Sequence, residues 1–310
     1  MNNSKQPEIV VIGGGTGLSI LLKGIKTVFE NISAIIGVSD DGGSSGELRK
    51  EFGILPPGDF RNCLIALSNS ENNLIELLNY RFKSQSKLNN HNLGNLILFA
   101  LDNITHDFEE SITVLGELLN IKGKIVPAAL TPIDLTAKLE TGTIIQGETN
   151  IRALGEAVKE IKISPVNIKA NPNAIKIIEK ADLILVGPGS LYSSIIPNLL
   201  IKEIKNAILN SKAQKYLICN VATENGETNN YDSNDHIQSI QNHLNKNIFD
   251  SIIVNNNIEN FYSENNVKPV IPQSNYPNTK IIYGDVVNEN NRIRHDSNKL
   301  ADLIKNSFKI

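Results

Sequence analysis

The sequence predicts an α/β fold: a Rossmann-like, mostly parallel sheet flanked by helices, with a small antiparallel β insertion. Three observations carry the prediction. Short apolar runs rich in β-branched residues recur at 8–12, 33–38, 181–186, 216–220 and 251–254, each the length of one buried strand. Stretches with helical apolar spacing separate them. The runs end in Gly, Ser, Thr, Asn and Asp, the small polar residues that ring the carboxyl end of an open parallel sheet.

The first unit is strand, glycine turn, helix: residues 8–12, then Gly13-Gly14-Gly15-Thr16-Gly17, then apolar positions at Leu18, Leu21, Leu22 and Ile25. The strand at 33–38 delivers Asp40 and Asp41, followed by Gly42-Gly43-Ser44-Ser45-Gly46. Pro56-Pro57-Gly58-Asp59 reads as a rigid turn, with Asp59 as N-cap of a helix from 60 to 67. His91-Asn92-Leu93-Gly94-Asn95 opens a helix over 96–101, and 108–119 is helical again. Residues 122–169 change character to Thr, Ile and Val with turn residues, and 139–144 reads as a hairpin. This segment is too short to bury a core of its own, so it is expected to be an insertion within a single α/β domain spanning 1–310. The strand at 181–186 leads into a second glycine and hydroxyl loop, Gly187-Pro188-Gly189-Ser190-Leu191-Tyr192-Ser193-Ser194. Strands at 216–220, 251–254 and near 281–283 follow, and a helix through Leu300 and Ile304 closes the chain.

The chemistry sits on the loops. Glycines after a strand let main-chain N–H groups approach an anion, and the helix that follows adds its partial positive charge. The turn is not a dinucleotide fingerprint, because Leu18 stands where the third glycine belongs, and it is not a Walker loop, because no Lys-Ser or Lys-Thr follows. Asp40 falls about where an acid grips a ribose in dinucleotide-binding folds. The adjacent Asp40 and Asp41 could share Mg²⁺ with a phosphate, accept from ribose hydroxyls, or cap the loop that follows. Arg61 and Asn62 lie in the first turn of their helix and are expected to face the loop cleft. Only six of the thirty basic residues are arginines, and Arg49 and Arg61 flank this polar segment, where a planar guanidinium suits carboxylate or phosphate. Two glycine loops from separate parts of the chain point to the crevice at a topological switch point.

Bulk properties narrow the partners. A net charge of -3 without a long basic run argues against nucleic acid or an anionic membrane surface. No apolar stretch reaches signal-peptide or membrane-span length, so a cytoplasmic location is expected. The two cysteines, Cys63 and Cys219, lack metal-ligand spacing and read as buried apolar residues.

Several of these motifs, in this order, resemble the YvcK family of gluconeogenesis factors over nearly the whole chain: Gly13 to Leu18, Asp40 to Gly46, Leu55-Pro56-Pro57-Gly58-Asp59 with Arg61-Asn62, Gly187 to Tyr192 with Ile195-Ile196-Pro197-Asn198-Leu199, Gly226-Glu227-Thr228, and Arg294-His295-Asp296. The resemblance implies a cytoplasmic bacterial regulator, needed for cell shape and wall synthesis on gluconeogenic carbon sources, that binds UDP-sugars, notably UDP-N-acetylglucosamine. It implies no catalytic residue. It places nucleotide-sugar contacts on Tyr262 and Arg294; the loops read above add Gly14, Gly15, Thr16, Gly17, Asp40, Asp41, Ser44, Ser45, Arg61, Asn62, His91, Asn95, Gly187, Gly189, Ser190, Tyr192, Thr223 and Asn256 as candidates. The related 2-phospho-lactate transferases use a similar paired-aspartate loop with Mg²⁺. This gives the rival expectation of a phospho-group transferase with Asp40 and Asp41 on the metal. A pyridine-nucleotide oxidoreductase is a third expectation, resting only on the first glycine turn and the acid after strand two. A regulatory protein partner and a homodimer are expected partners. Two segments depart from the family pattern: Asn90-His91-Asn92 replaces Gly-His-Ser, and Thr223-Glu224-Asn225 puts a carboxylate where a glutamine is usual.

Overall fold

The computed structural model describes residues 6–83, 85–259, 261, 267–274, 276 and 278–308. The chain begins β1 (Glu8–Gly13), α1 (Gly15–Ile25), β2 (Asn31–Ile36), then four helices, α2 (Gly43–Phe52), α3 (Pro57–Leu67), α4 (Asn72–Asn79) and α5 (Leu93–Thr105), followed by α6 (Phe108–Leu118) and β3 (Lys124–Pro127). An antiparallel unit comes next, β4 (Asp134–Leu139), β5 (Ile144–Gln146) and β6 (Val158–Ser164), with α7 (Glu148–Leu154) between its second and third strands. Then come α8 (Pro172–Lys180) and β7 (Leu183–Val186), a π-helical turn (Leu191–Ile195), α9 (Ile196–Leu200) and α10 (Lys202–Asn210). The chain ends with β8 (Gln214–Ile218), α11 (Ser233–Leu244), β9 (Ser251–Asn255), β10 (Lys280–Gly284), the small hairpin β11 (Val287–Asn288) and β12 (Asn291–His295), and α12 (Ser297–Ser307).

Seven strands form one sheet in the order β10-β9-β8-β7-β1-β2-β3, and every pairing in it is parallel. The fold class is the one predicted. The order reverses between β1 and β7, which is the topological switch point of a doubly wound sheet. Burial explains the composition: all four residues of β7 are buried, as are Ile9 to Gly13 of β1, so these strands carry no polar face. Helices cover the sheet, α1 packing with α3 and α12, and α8 with α10.

The antiparallel unit has the strand order β5-β4-β6 and contains the predicted hairpin. Its boundary is narrower than residues 122–169, because Lys124–Pro127 pairs in parallel with β2 as the edge strand of the main sheet. Two helix starts also differ from expectation. Helix α3 begins at Pro57, whose fixed φ suits the first helical position, so Asp59 lies inside the first turn and its carboxylate serves another loop. Helix α5 begins at Leu93, and Asn92 is its N-cap, accepting from the Asn95 N–H at 3.2 Å. The asparagine thus does the capping a serine would do there. Both cysteines are free and buried, and burial raises their thiol pKa values. Among the described residues no helix is long and apolar enough to cross a membrane.

Candidate functional site

The loops at the carboxyl ends of β1, β2, β7 and β8 surround one cleft of about 600 Å³. Gly15, Thr16 and Gly17 form its floor at the start of α1. Asp40 follows β2, Asp59 and Asn62 come from α3, Gly189 and Ser190 follow β7, and residues 220–225 follow β8. Glu148 and Arg152 of α7 and Arg294 of β12 complete the wall.

The two glycine loops touch. A methyl on Gly17 would lie 2.7 Å from the Pro188 carbonyl oxygen, so only a bare α-carbon lets the loops close on each other. Asn220 clamps the second loop from β8, donating from Nδ2 to the Gly189 carbonyl at 2.9 Å and accepting from the Gly189 N–H at 3.3 Å. Beneath it, the buried Glu227 accepts from the N–H groups of Tyr192 and Ser193 at 2.8 and 3.3 Å and from the Ser193 hydroxyl at 2.6 Å. This carboxylate fastens the π-helical turn that begins where the loop ends. Asn198 donates to the Gly13 carbonyl and the Ser194 carbonyl, tying the turn back to β1.

Carboxylates crowd one side. Asp59 accepts from the Gly15 N–H at 2.6 Å, yet its pKa is raised to about 6 by burial and by neighbouring Asp40. Burial, with Asp40, Asp59 and Glu227 nearby, pushes Glu148 up to about 9, so it carries a proton at neutral pH. Its partner is Arg152 at 3.7 Å, one helical turn on. A neutral carboxyl in this wall offers a hydrogen-bond donor as well as an acceptor to hydroxyl-bearing ligands.

Of the residues expected at the site, Gly15, Thr16, Gly17, Asp40, Asn62, Gly189, Ser190, Thr223 and Arg294 converge on the cleft. Gly14 and Gly187 carry the two loops without lining it. Arg61 is buried, donating to Asn95 at 2.7 Å and to the Asn62 side-chain oxygen at 2.6 Å, and burial lowers its pKa to about 10. It therefore orients Asn62. Ser44 Oγ lies 3.2 Å from His91 Nδ1 and accepts from the Asn92 N–H and from Asn95 Nδ2, while His91 Nε2 lies 3.2 Å from Glu47. Ser45 Oγ accepts from the Gly58 N–H at 3.1 Å. These side chains form a hydrogen-bonded layer that fixes the starts of α2, α3 and α5. Tyr192 is packed inside, its hydroxyl 2.8 Å from that of Tyr231. Asn256 is exposed past the end of β9, its N–H on the Gly284 carbonyl. Tyr262 lies outside the described residues. Sequence reasoning missed Glu148, Arg152 and Asn220 as cleft residues and misplaced Asp59. A carboxylate in place of the family's glutamine marked Glu224, whereas nothing in the local sequence marks the other three.

The paired aspartates part company. Asp40 accepts from the Gly42 N–H at 3.0 Å and lines the cleft, whereas Asp41 Oδ1 accepts from the Thr149 N–H at 2.9 Å and its hydroxyl at 2.7 Å. Among the described residues no cluster of three or more His, Cys, Asp or Glu is arranged to hold a metal ion. Asp41 Oδ1 is thus spent on Thr149, and of the pair only Asp40 lines the cleft.

Comparison with known proteins agrees with this architecture. The family model for the 2-phospho-L-lactate transferase CofD matches residues 9–287. The gluconeogenesis factor of Bacillus subtilis is 41% identical over 314 residues, covering 98% of this chain and 99% of that protein, and the one from Listeria innocua is 40% identical over 310 residues, covering 98% and 96%. A crystal structure of a Bacillus halodurans protein superposes with a TM-score of 0.91 at 41% identity, covering 97% of this chain and 99% of that one. With full-length relatives at this identity and a matching fold, the chain belongs to the gluconeogenesis factors, the YvcK branch of the CofD-like family.

Proposed function

We propose that the cleft binds a nucleotide sugar, UDP-N-acetylglucosamine, and that the protein is a cytoplasmic regulator of cell morphogenesis and wall synthesis under gluconeogenic growth. The observation that carries this reading is the pairing, in one cleft, of an anion-accepting glycine loop at the start of α1 with two guanidiniums, Arg152 and Arg294, and a wall of hydroxyl-binding groups, Asp40, Glu148, Thr223 and Glu224. A diphosphate suits the first set, because main-chain N–H groups and guanidiniums both make charge-assisted bonds to it. Ribose and hexose hydroxyls suit the second. Asp40 turned to the cleft and Asp41 turned away favour holding a ligand over transferring a phosphoryl-linked group through a shared metal.

Calorimetric titration with UDP-N-acetylglucosamine, with and without Mg²⁺, followed by analysis of the mixture, tests the reading. Micromolar binding with the ligand recovered intact supports a sensor. Consumption of the ligand only with Mg²⁺ moves the case to a transferase.

A further inference from the structure

We propose that Asp41 is a positioning residue that caps helix α7 from across the chain and so makes the antiparallel unit part of the ligand site. The cap position of α7 is Gly147, which has no side chain to satisfy the first N–H groups of the helix. Asp41 supplies that function from 108 residues away: its Oδ1 takes the Thr149 N–H at 2.9 Å and the Thr149 hydroxyl at 2.7 Å. A side chain at Gly147 would stand in its way, since a Cβ there would lie 2.6 Å from Asp41 Oδ2, and φ is +88°. The other end of α7 is tied to the opposite bank of the cleft, where Asn229 Nδ2 donates to the Gly155 carbonyl at 3.0 Å. The helix is thus a strap between the loop after β2 and the loop after β8. Two of its residues, Glu148 and Arg152, line the cleft. Seven residues held at both ends have little stability of their own, so the caps set where those two side chains stand.

This explains why the two aspartates stand side by side yet face different ways. Asp40 belongs to the cleft and Asp41 to the strap. The expected effects on affinity rest on the nucleotide-sugar reading above; the effects on α7 itself do not.

The test is hydrogen exchange at the α7 amides in the ligand-free protein, read beside calorimetric affinity for UDP-N-acetylglucosamine. Asp41→Ala should speed exchange of the amides of residues 149–152 and weaken binding about two- to thirtyfold, the span that loss of one helix cap allows, and Thr149→Ala, which keeps the N–H bond to Asp41, should do both to a smaller extent. The double variant should be no worse than Asp41→Ala, because that substitution already removes both contacts to Thr149. Asp41→Asn keeps an acceptor oxygen and should restore both readouts, as Thr149→Ser should by keeping the hydroxyl. Unchanged exchange in Asp41→Ala overturns the proposal, because Asp41 then does not cap α7, and so does loss of binding in Asp41→Asn with α7 still protected, because that makes the charge itself the function. If the unsubstituted protein does not bind the nucleotide sugar, the functional reading fails while the exchange experiment still decides the role of Asp41.

Discussion

The Gly15 N–H donates to Asp59 Oδ2 at 2.6 Å, joining the first glycine loop to the opening turn of α3. That bond stands against burial and the nearby Asp40, which together raise the Asp59 pKa to about 6. Glu148, raised to about 9 on the same wall, shares the strain. A carboxyl whose pKa is higher folded than unfolded binds a proton that the unfolded chain has released, so stability falls as pH rises between the two values. For Asp59 the window is about 3.8 to 6, and for Glu148 about 4.5 to 9. His295, lowered to about 4 by burial, acts in the opposite sense below pH 6.5.

Between pH 7 and 9 the histidine is silent, Glu227, which burial raises to about 7, is past its midpoint, and Glu148 dominates. Denaturation midpoints should therefore drop across that interval, and Glu148→Gln should flatten the profile, recovering about 2–3 kcal/mol at its alkaline end. A variant with the same slope as the unsubstituted protein would rule out a protonated Glu148.

Arg294 of β12 lines the cleft, where a guanidinium suits the diphosphate of the proposed nucleotide sugar. Arg294→Ala should weaken UDP-N-acetylglucosamine binding roughly five- to a hundredfold, and Arg294→Lys should recover only part of it, because an ammonium cannot make the paired contact. Titration calorimetry on both variants gives the comparison. The same experiment on Tyr262→Ala examines the family contact assigned to that position.

Gly17→Ala forces a methyl against the Pro188 carbonyl. The two glycine loops must separate, so stability should fall by about 1–3 kcal/mol in urea, and ligand affinity should fall with it. Stability lost with affinity intact would mean the cleft tolerates a wider gap than a phosphate-sized ligand needs.

Glu227 holds three donors that have no water to turn to. Glu227→Ala should cost about 2–5 kcal/mol, since two N–H groups and a hydroxyl are left buried without an acceptor. Adding Ser193→Ala should cost less in that background than alone, because the lost hydroxyl no longer needs a partner; a double-mutant cycle by urea denaturation measures the difference.

The strands and both glycine loops were legible because each is set by local sequence: an apolar run that fits only a buried strand, then glycines where two backbones meet. Long-range pairing was not. Lys124–Pro127 has the same apolar character as the antiparallel strands after it, and only its partner, β2, makes it part of the main sheet. Asp59 had the residue type of a helix cap, but the proline two positions earlier had already started the helix. Tyr192 follows a ligand-type loop, yet its hydroxyl is satisfied internally by Tyr231 and Ser239. The entry of Glu148 and Arg152 into the cleft depends on Asp41 meeting Thr149, a contact that no window of sequence contains.

The cleft therefore draws on two kinds of scaffold. The glycine loops are built into the crossing of a parallel sheet and cannot move without disturbing β1 and β7. Glu148 and Arg152 ride on a separate flap of chain between β5 and β6, outside that sheet. Change in this flap alters the part of the wall that Glu148 and Arg152 supply while leaving the glycine loops in place, so the two parts of the cleft can diversify separately within one architecture.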